Sequence, residues 1–122
     1  MFFNFEKVTL PKSTNYCIVA PKKMINKRWF EPKVFNLSKA ELEKRWKHML
    51  AKKPRVTMLA QENNQIKYVQ QSRVFKFKDI VVVQFNTLDA DHSNLYVYSH
   101  SLSGYWDFGV NCKRVSHWMA GL

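Results

Sequence analysis

The run Ser99-His100-Ser101-Leu102-Ser103-Gly104-Tyr105-Trp106-Asp107-Phe108-Gly109-Val110-Asn111 sets hydroxyls, an imidazole, a carboxylate, aromatic rings and two glycines between a strand-like and a helix-like stretch. Two readings follow from that chemistry. In the first, Ser99, His100, Ser101, Tyr105, Asp107, Asn111 and Arg114, joined by Arg73 from upstream, hold a small anionic or amphipathic ligand. Backbone N–H groups at the start of the following helix favour negative charge there. In the second, the segment is a latch fastening the last strand to the last helix. Gly104 and Gly109 then permit unusual dihedrals, Asp107 caps the turn or pairs with Arg73 or Arg114, and Tyr105 fills the joint. The two readings are compatible.

Catalysis has weaker grounds. Serine, histidine and aspartate all occur in the segment, but neighbours in sequence are not a triad, and no nucleophile elbow surrounds any serine. A Cys112–His100 pair requires a contact that sequence does not establish. Cys112 and His117 lie five residues apart, about 140° round a helix, and share no face for a metal. With 3 glycines in the chain, a glycine-rich phosphate loop is absent. The loop Asp89–Asn94 lacks the glycine and glutamate that a calcium loop needs. The expectation is a non-catalytic binding or accessory protein, leaning away from an enzyme, with no metal and no cofactor.

The elements that must position these residues can be read from periodicity. Residues 1–14 read as an irregular or edge segment, and Tyr16-Cys17-Ile18-Val19-Ala20 as a strand stopped by Pro21. Residues 22–36 form a basic connection, with Trp29, Phe30 and Phe35 available to pin it. The first helix has Ser38 as N-cap, Glu41 completing a capping box, and Leu37 and Leu42 as a hydrophobic staple. Leu42, Trp46, Met49 and Leu50 make its apolar stripe, and Pro54 ends it after Lys52 and Lys53. His48 lies off the stripe and reads as a surface residue.

Four strands follow. Val56–Ala60 and Ile66–Gln70 flank a polar turn, with an extension of the latter possible through Phe77; then come Ile80–Phe85 and Asn94–Ser101. In the last, Leu95, Val97 and Ser99 share one face, and Tyr96, Tyr98 and His100 the other. Val115, Trp118, Met119 and Leu122 give a second helix its stripe, with Asn111 as N-cap and Val110 and Val115 as staple. The order β-α-β-β-β-β-α predicts an α+β fold, an antiparallel sheet of about five strands carrying the C-terminal helix in a helix-grip or TBP-like arrangement. One domain over residues 1–122 is expected.

Composition limits the partners. The 122 residues carry a formal net charge of +11, with 14 Lys/Arg against 4 Asp/Glu in residues 1–55 and 6 against 5 thereafter. Such a surface suits an acidic protein, nucleic acid or an anionic membrane, and docking on one of these is the alternative function. Lysine outnumbers arginine, and no nucleic-acid motif is present. No apolar run reaches the roughly 20 residues of a membrane span. No secretory leader is visible, so a cytoplasmic protein is expected. Cys17 and Cys112, far apart and without a CxxC pattern, read as two free thiols, which favours a reducing compartment.

From Ser99 to Val115 the chain resembles the uncharacterised bacterial and plant family called domain of unknown function 1499. Its signature is similar at Ser99, Ser101, Gly104, Tyr105, Asp107, Gly109, Val110, Asn111, Arg114 and Val115. Upstream blocks resemble it too: Asn15-Tyr16, Val19-Ala20-Pro21, Pro54-Arg55, and Tyr68 through Asp79. The resemblance implies no activity, since none is established for the family. His100 and Cys112 stand where the family usually carries basic residues, and Lys78 where it carries proline. An arginine-lined anion pocket would therefore be only partly kept here.

Overall fold

The computed structural model describes residues 1–9, 14–24, 26–74, 76–102 and 109–122. The strands are β1 (Tyr16–Val19), β2 (Trp29–Phe30), β3 (Val56–Glu62), β4 (Gln65–Gln71), β5 (Lys78–Asp89) and β6 (His92–Ser101). The helices are α1 (Lys39–Leu50), between β2 and β3, and α2 (Val110–Ala120), after β6. The α+β class stands, but the sheet has six strands in the order β2-β1-β6-β5-β4-β3. It is also mixed, because β2 runs parallel to β1 while every other pair is antiparallel. The expected five-strand antiparallel sheet is corrected on both counts. β2 is only two residues long, and a period of two cannot be read from two residues.

The alternation in β5 and β6 explains how both faces of the sheet are covered. Val81, Val83, Phe85, Leu95 and Val97 pack beneath α1 and α2 with Leu42, Trp46, Met49, Leu50, Val115 and Trp118. Trp46 is the hub, in edge-on contact with Phe85 at 6.1 Å and Trp118 at 5.9 Å between ring centroids. Its indole N–H donates to the Tyr68 hydroxyl at 3.2 Å, and burial pushes that phenol up to about 12.

The residues between them in sequence, Ile80, Val82 and Tyr98, point to the opposite face, where Phe5, Tyr16 and Ile18 join them. The N-terminal segment covers that face, with Phe3 stacked on Tyr98 at 4.3 Å. Gln65 ties the segment down: its amide oxygen accepts from Phe2 N at 2.7 Å, and its amide nitrogen donates to Phe3 O at 2.7 Å. A run of apolar residues such as Ile80–Val83 marks a strand covered on both sides, and β5 is one.

Local signals set several boundaries. Ser38 Oγ accepts from Glu41 N at 3.2 Å, and Leu42 is fully buried, as a capped and stapled α1 requires. The helix ends at Leu50, so Lys52 and Lys53 lie in the turn beyond it. β4 stops at Gln71 and does not extend through Phe77. Lys76, at φ 53°, turns the chain back toward β5.

At α2 the expected cap is corrected. Gly109 is the N-cap at φ 77°, a left-handed conformation that glycine adopts at no steric cost. Asn111 lies inside the helix and is completely buried, while Val110 is exposed and makes no staple. Phe30 is likewise more exposed than a pinning residue would be, whereas Phe35 is buried and bridges to Ser93.

The cysteines require the largest correction. Cys17 in β1 and Cys112 in the first turn of α2 form a disulfide with Cα atoms 4.9 Å apart, and no free cysteine remains. The ground for expecting a reducing compartment falls with the free thiols. No described helix is long and apolar enough to cross a membrane.

Candidate functional site

The polar residues at the α2–β6 joint converge on one guanidinium. Arg114 Nη2 donates to Asp79 Oδ2 at 2.7 Å, and Nη1 donates to Asn111 Oδ1 at 2.7 Å and to Ser99 Oγ at 3.1 Å. Its Nε donates to Gln70 Oε1. Ser99 Oγ in turn donates to Asn111 Oδ1 at 2.6 Å, and Asn111 Nδ2 donates to Asn15 O at 3.2 Å and Ser101 Oγ at 3.3 Å. The ion pair is nearly dry, with side-chain exposures of 9% for Arg114 and 12% for Asp79. Five elements or their flanks meet here: the residue before β1, β4, β5, β6 and α2.

Strand alternation explains the company each residue keeps. Asp79 and Ser101 are register partners on β5 and β6, as are Val81 and Ser99, so Asp79, Ser99 and Ser101 share the helix-facing side. On α2, Asn111 and Arg114 are three residues apart and reach down together. The structure thus joins Ser99, Ser101, Asn111 and Arg114 among the expected site residues. Tyr105 and Asp107 lie outside the described residues, as do Gly104 and the pairing expected of Asp107.

His100 is separated from the group. It faces the opposite side of the sheet, stacked on Tyr98 with ring centroids 4.6 Å apart. Ser99 and His100 therefore do not form a nucleophile–base pair, and the bonded Cys112 offers no thiolate to His100. Burial depresses the imidazole pKa, with nearby Lys67 acting the same way; a Ser101 backbone hydrogen bond and the Asp79 charge act against them. Because the folded value lies below the ordinary 6.5, the unfolded chain binds the proton more readily. The stability due to a neutral His100 is thus complete above the unfolded value and lost as pH falls through the folded one. The melting temperature of wild type should fall more steeply below pH 6.5 than that of His100→Gln. Parallel curves for the two proteins would refute this.

Outside the buried network, a groove of about 500 Å³ opens between the α1–β3 connection, the end of β4, the start of β5 and α2. The Arg114–Asp79 pair forms part of its lining. Lys53, Arg55, Arg73, Lys113 and His117 surround the rest, and Asp79 is the one carboxylate lining it among the described residues. Arg55 is held there by Nε donating to Gln71 O at 3.0 Å. Arg73 therefore lines the groove while Arg114 belongs chiefly to the network. A larger groove of about 820 Å³ runs along the outer face of α1 and shares only Lys53 with this one. It is remote from the polar network and contains its own carboxylate, Glu41, so size alone does not recommend it.

Asp79, Gln70 and Asn15 were missed as network members, as were Lys53, Arg55, Lys113 and His117 as groove residues. Asn15, Gln70 and Asp79 all fall within the upstream blocks of the family resemblance, the one signal that pointed toward them. The family described as protein of unknown function (DUF1499) matches residues 7–122. No curated protein and no solved structure matches the chain.

Proposed function

Since the chain belongs to the DUF1499 family, described only as of unknown function, we propose from its groove that it is a non-catalytic binding protein for a small multivalent anion. The carrying observation is the set of five cations, Lys53, Arg55, Arg73, Lys113 and Arg114, lining a groove whose single carboxylate among the described residues is already engaged by Arg114. Val110 lines the same groove, which brings the positive end of α2 to it. The latch and the site are two layers of one joint. The buried network fastens α2 to the sheet, and the exposed cations above it take the ligand.

Residues 1–122 are read as one domain, and the helix-grip or TBP-like likeness is retained in this proposal. Both helices packing on one face of the sheet supports that likeness. Trp46, Phe85 and Trp118 fill the space between helices and sheet, which leaves a ligand the surface groove.

Pyrophosphate and citrate, tested by thermal shift and calorimetry, are the probes. Either should raise the melting temperature, because a ligand that binds only the native state stabilises it by mass action. Added salt should weaken the effect steeply. Lys113→Glu and Lys53→Glu should each weaken binding about tenfold or more, with the unliganded melting temperature little changed. Absence of any shift with either anion, or equal binding by the charge-reversed proteins, would overturn the reading.

A further inference from the structure

Because β3 to β6 are antiparallel, their connections fall at two ends of the sheet; the exposed carboxylates of the turns gather at one end, beside Lys39 and the Met1 ammonium, and exposed cations dominate the other. One end carries the β3–β4 and β5–β6 turns, with Glu62, Asp89 and Asp91. The other carries the β4–β5 connection, the end of β6 and the start of α2, with Arg73, Lys76, Lys78 and Lys113 all exposed. Asp79 is the one carboxylate described at that end, and Arg114 neutralises it.

Apolar side chains stand out among these cations. Val74 is 75% exposed, Leu102 60% and Val110 44%. The backbone holds the connection in shape: Phe77 N donates to Ser72 Oγ and Ser72 N to Phe77 O, each at 2.8 Å. Leu102 N donates to Lys78 O at 3.2 Å, which keeps Leu102 beside the same connection.

We infer that this end of the protein docks on an anionic lipid bilayer, with Val74 and Leu102 entering the headgroup boundary while the surrounding lysines and Arg73 meet lipid phosphates and carboxylates. Charge complementarity orients the molecule, since the acidic turns lie at the far end of the strands. Aliphatic residues on protruding connections suit a soft surface that closes around them. Lysine is depleted at the centres of protein interfaces, but beside lipid its long stem lies along apolar surface with the ammonium at the headgroups. A bilayer therefore fits this end better than an acidic protein does.

The docking end shares Arg73, Lys113 and Val110 with the groove, so the inference is tested on residues outside the groove lining. The protein is sedimented with vesicles of phosphatidylcholine alone and of phosphatidylcholine mixed with phosphatidylserine. It should partition onto the phosphatidylserine vesicles only, and less so with added salt. Lys78→Gln and Lys76→Asn should each lower partitioning about fivefold. Val74→Ser combined with Leu102→Ser should lower it about tenfold at an unchanged melting temperature. Equal partitioning onto both vesicle types, no partitioning, or serine variants that bind like wild type would each overturn it. Tighter binding to soluble polyglutamate than to the vesicles would do the same, by favouring an acidic protein.

Discussion

Arg114→Ala should lower unfolding free energy by about 3–5 kcal/mol, the range for stripping one partner from a buried ion pair. The cost comes from what is left behind. Asp79 would keep a carboxylate in a nearly dry setting, and Asn111, Ser99 and Gln70 would each lose a donor. Arg114→Lys keeps the charge but gives up the planar fork that serves four acceptors at once, so about 1–2 kcal/mol should go. Replacing both ionic partners with apolar residues, Arg114→Met with Asp79→Leu, should cost less than the two single changes summed, because neither leaves an unpaired charge. Urea denaturation of wild type, Arg114→Ala, Arg114→Lys, Arg114→Met, Asp79→Leu and the double variant checks this. An Arg114→Ala protein as stable as wild type would mean that the guanidinium is not fastening α2.

Local patterns carried much of the fold in readable form, and long-range pairing did not. Ser38, Leu42 and Trp46 identify α1 because caps and stripes are properties of a dozen adjacent residues. The alternation from Leu95 to His100 put Ser99 and His100 on opposite faces, which already argued against grouping them in one site. It could not say which face α2 would cover. Asp107, expected to cap the turn or pair with Arg73 or Arg114, lies outside the described residues, and the partners the structure gives Arg114 are remote in sequence: Asp79 across 35 positions and Gln70 across 44. Periodicity assigns a residue to a face and leaves its cross-element neighbour open. Asn111 misled for a related reason: an asparagine near a helix start suits a cap, and only tertiary structure reveals that a buried network uses its amide. Gly109 is expected from sequence to permit an unusual dihedral and its φ of 77° does so, but only the structure shows that it is also the cap of the helix.

The disulfide sets the second large expected effect. Changing Cys17 and Cys112 together to alanine should cost about 2–5 kcal/mol, toward the upper end because so much chain lies between them. Their sequence separation is 95, so the crosslink removes a large share of the disorder available to the unfolded chain. Two observables besides stability follow. The dependence of stability on urea should steepen in the variant, since an uncrosslinked unfolded chain exposes more surface. Reductant should shift the wild-type transition and leave the variant unmoved, and wild type should yield no titratable thiol in denaturant until reduced. Free thiols in the unreduced, denatured protein would refute the crosslink. The same geometry predicts coupling with the ion pair. Cys112 and Arg114 fasten the first turns of α2 to β1 and to the β4–β5–β6 side respectively. Once either tie is cut, the other holds a helix already loosened at its entry. The triple variant carrying Arg114→Ala should therefore lose less stability than the separate losses summed, and strict additivity would show that the two ties act on α2 independently.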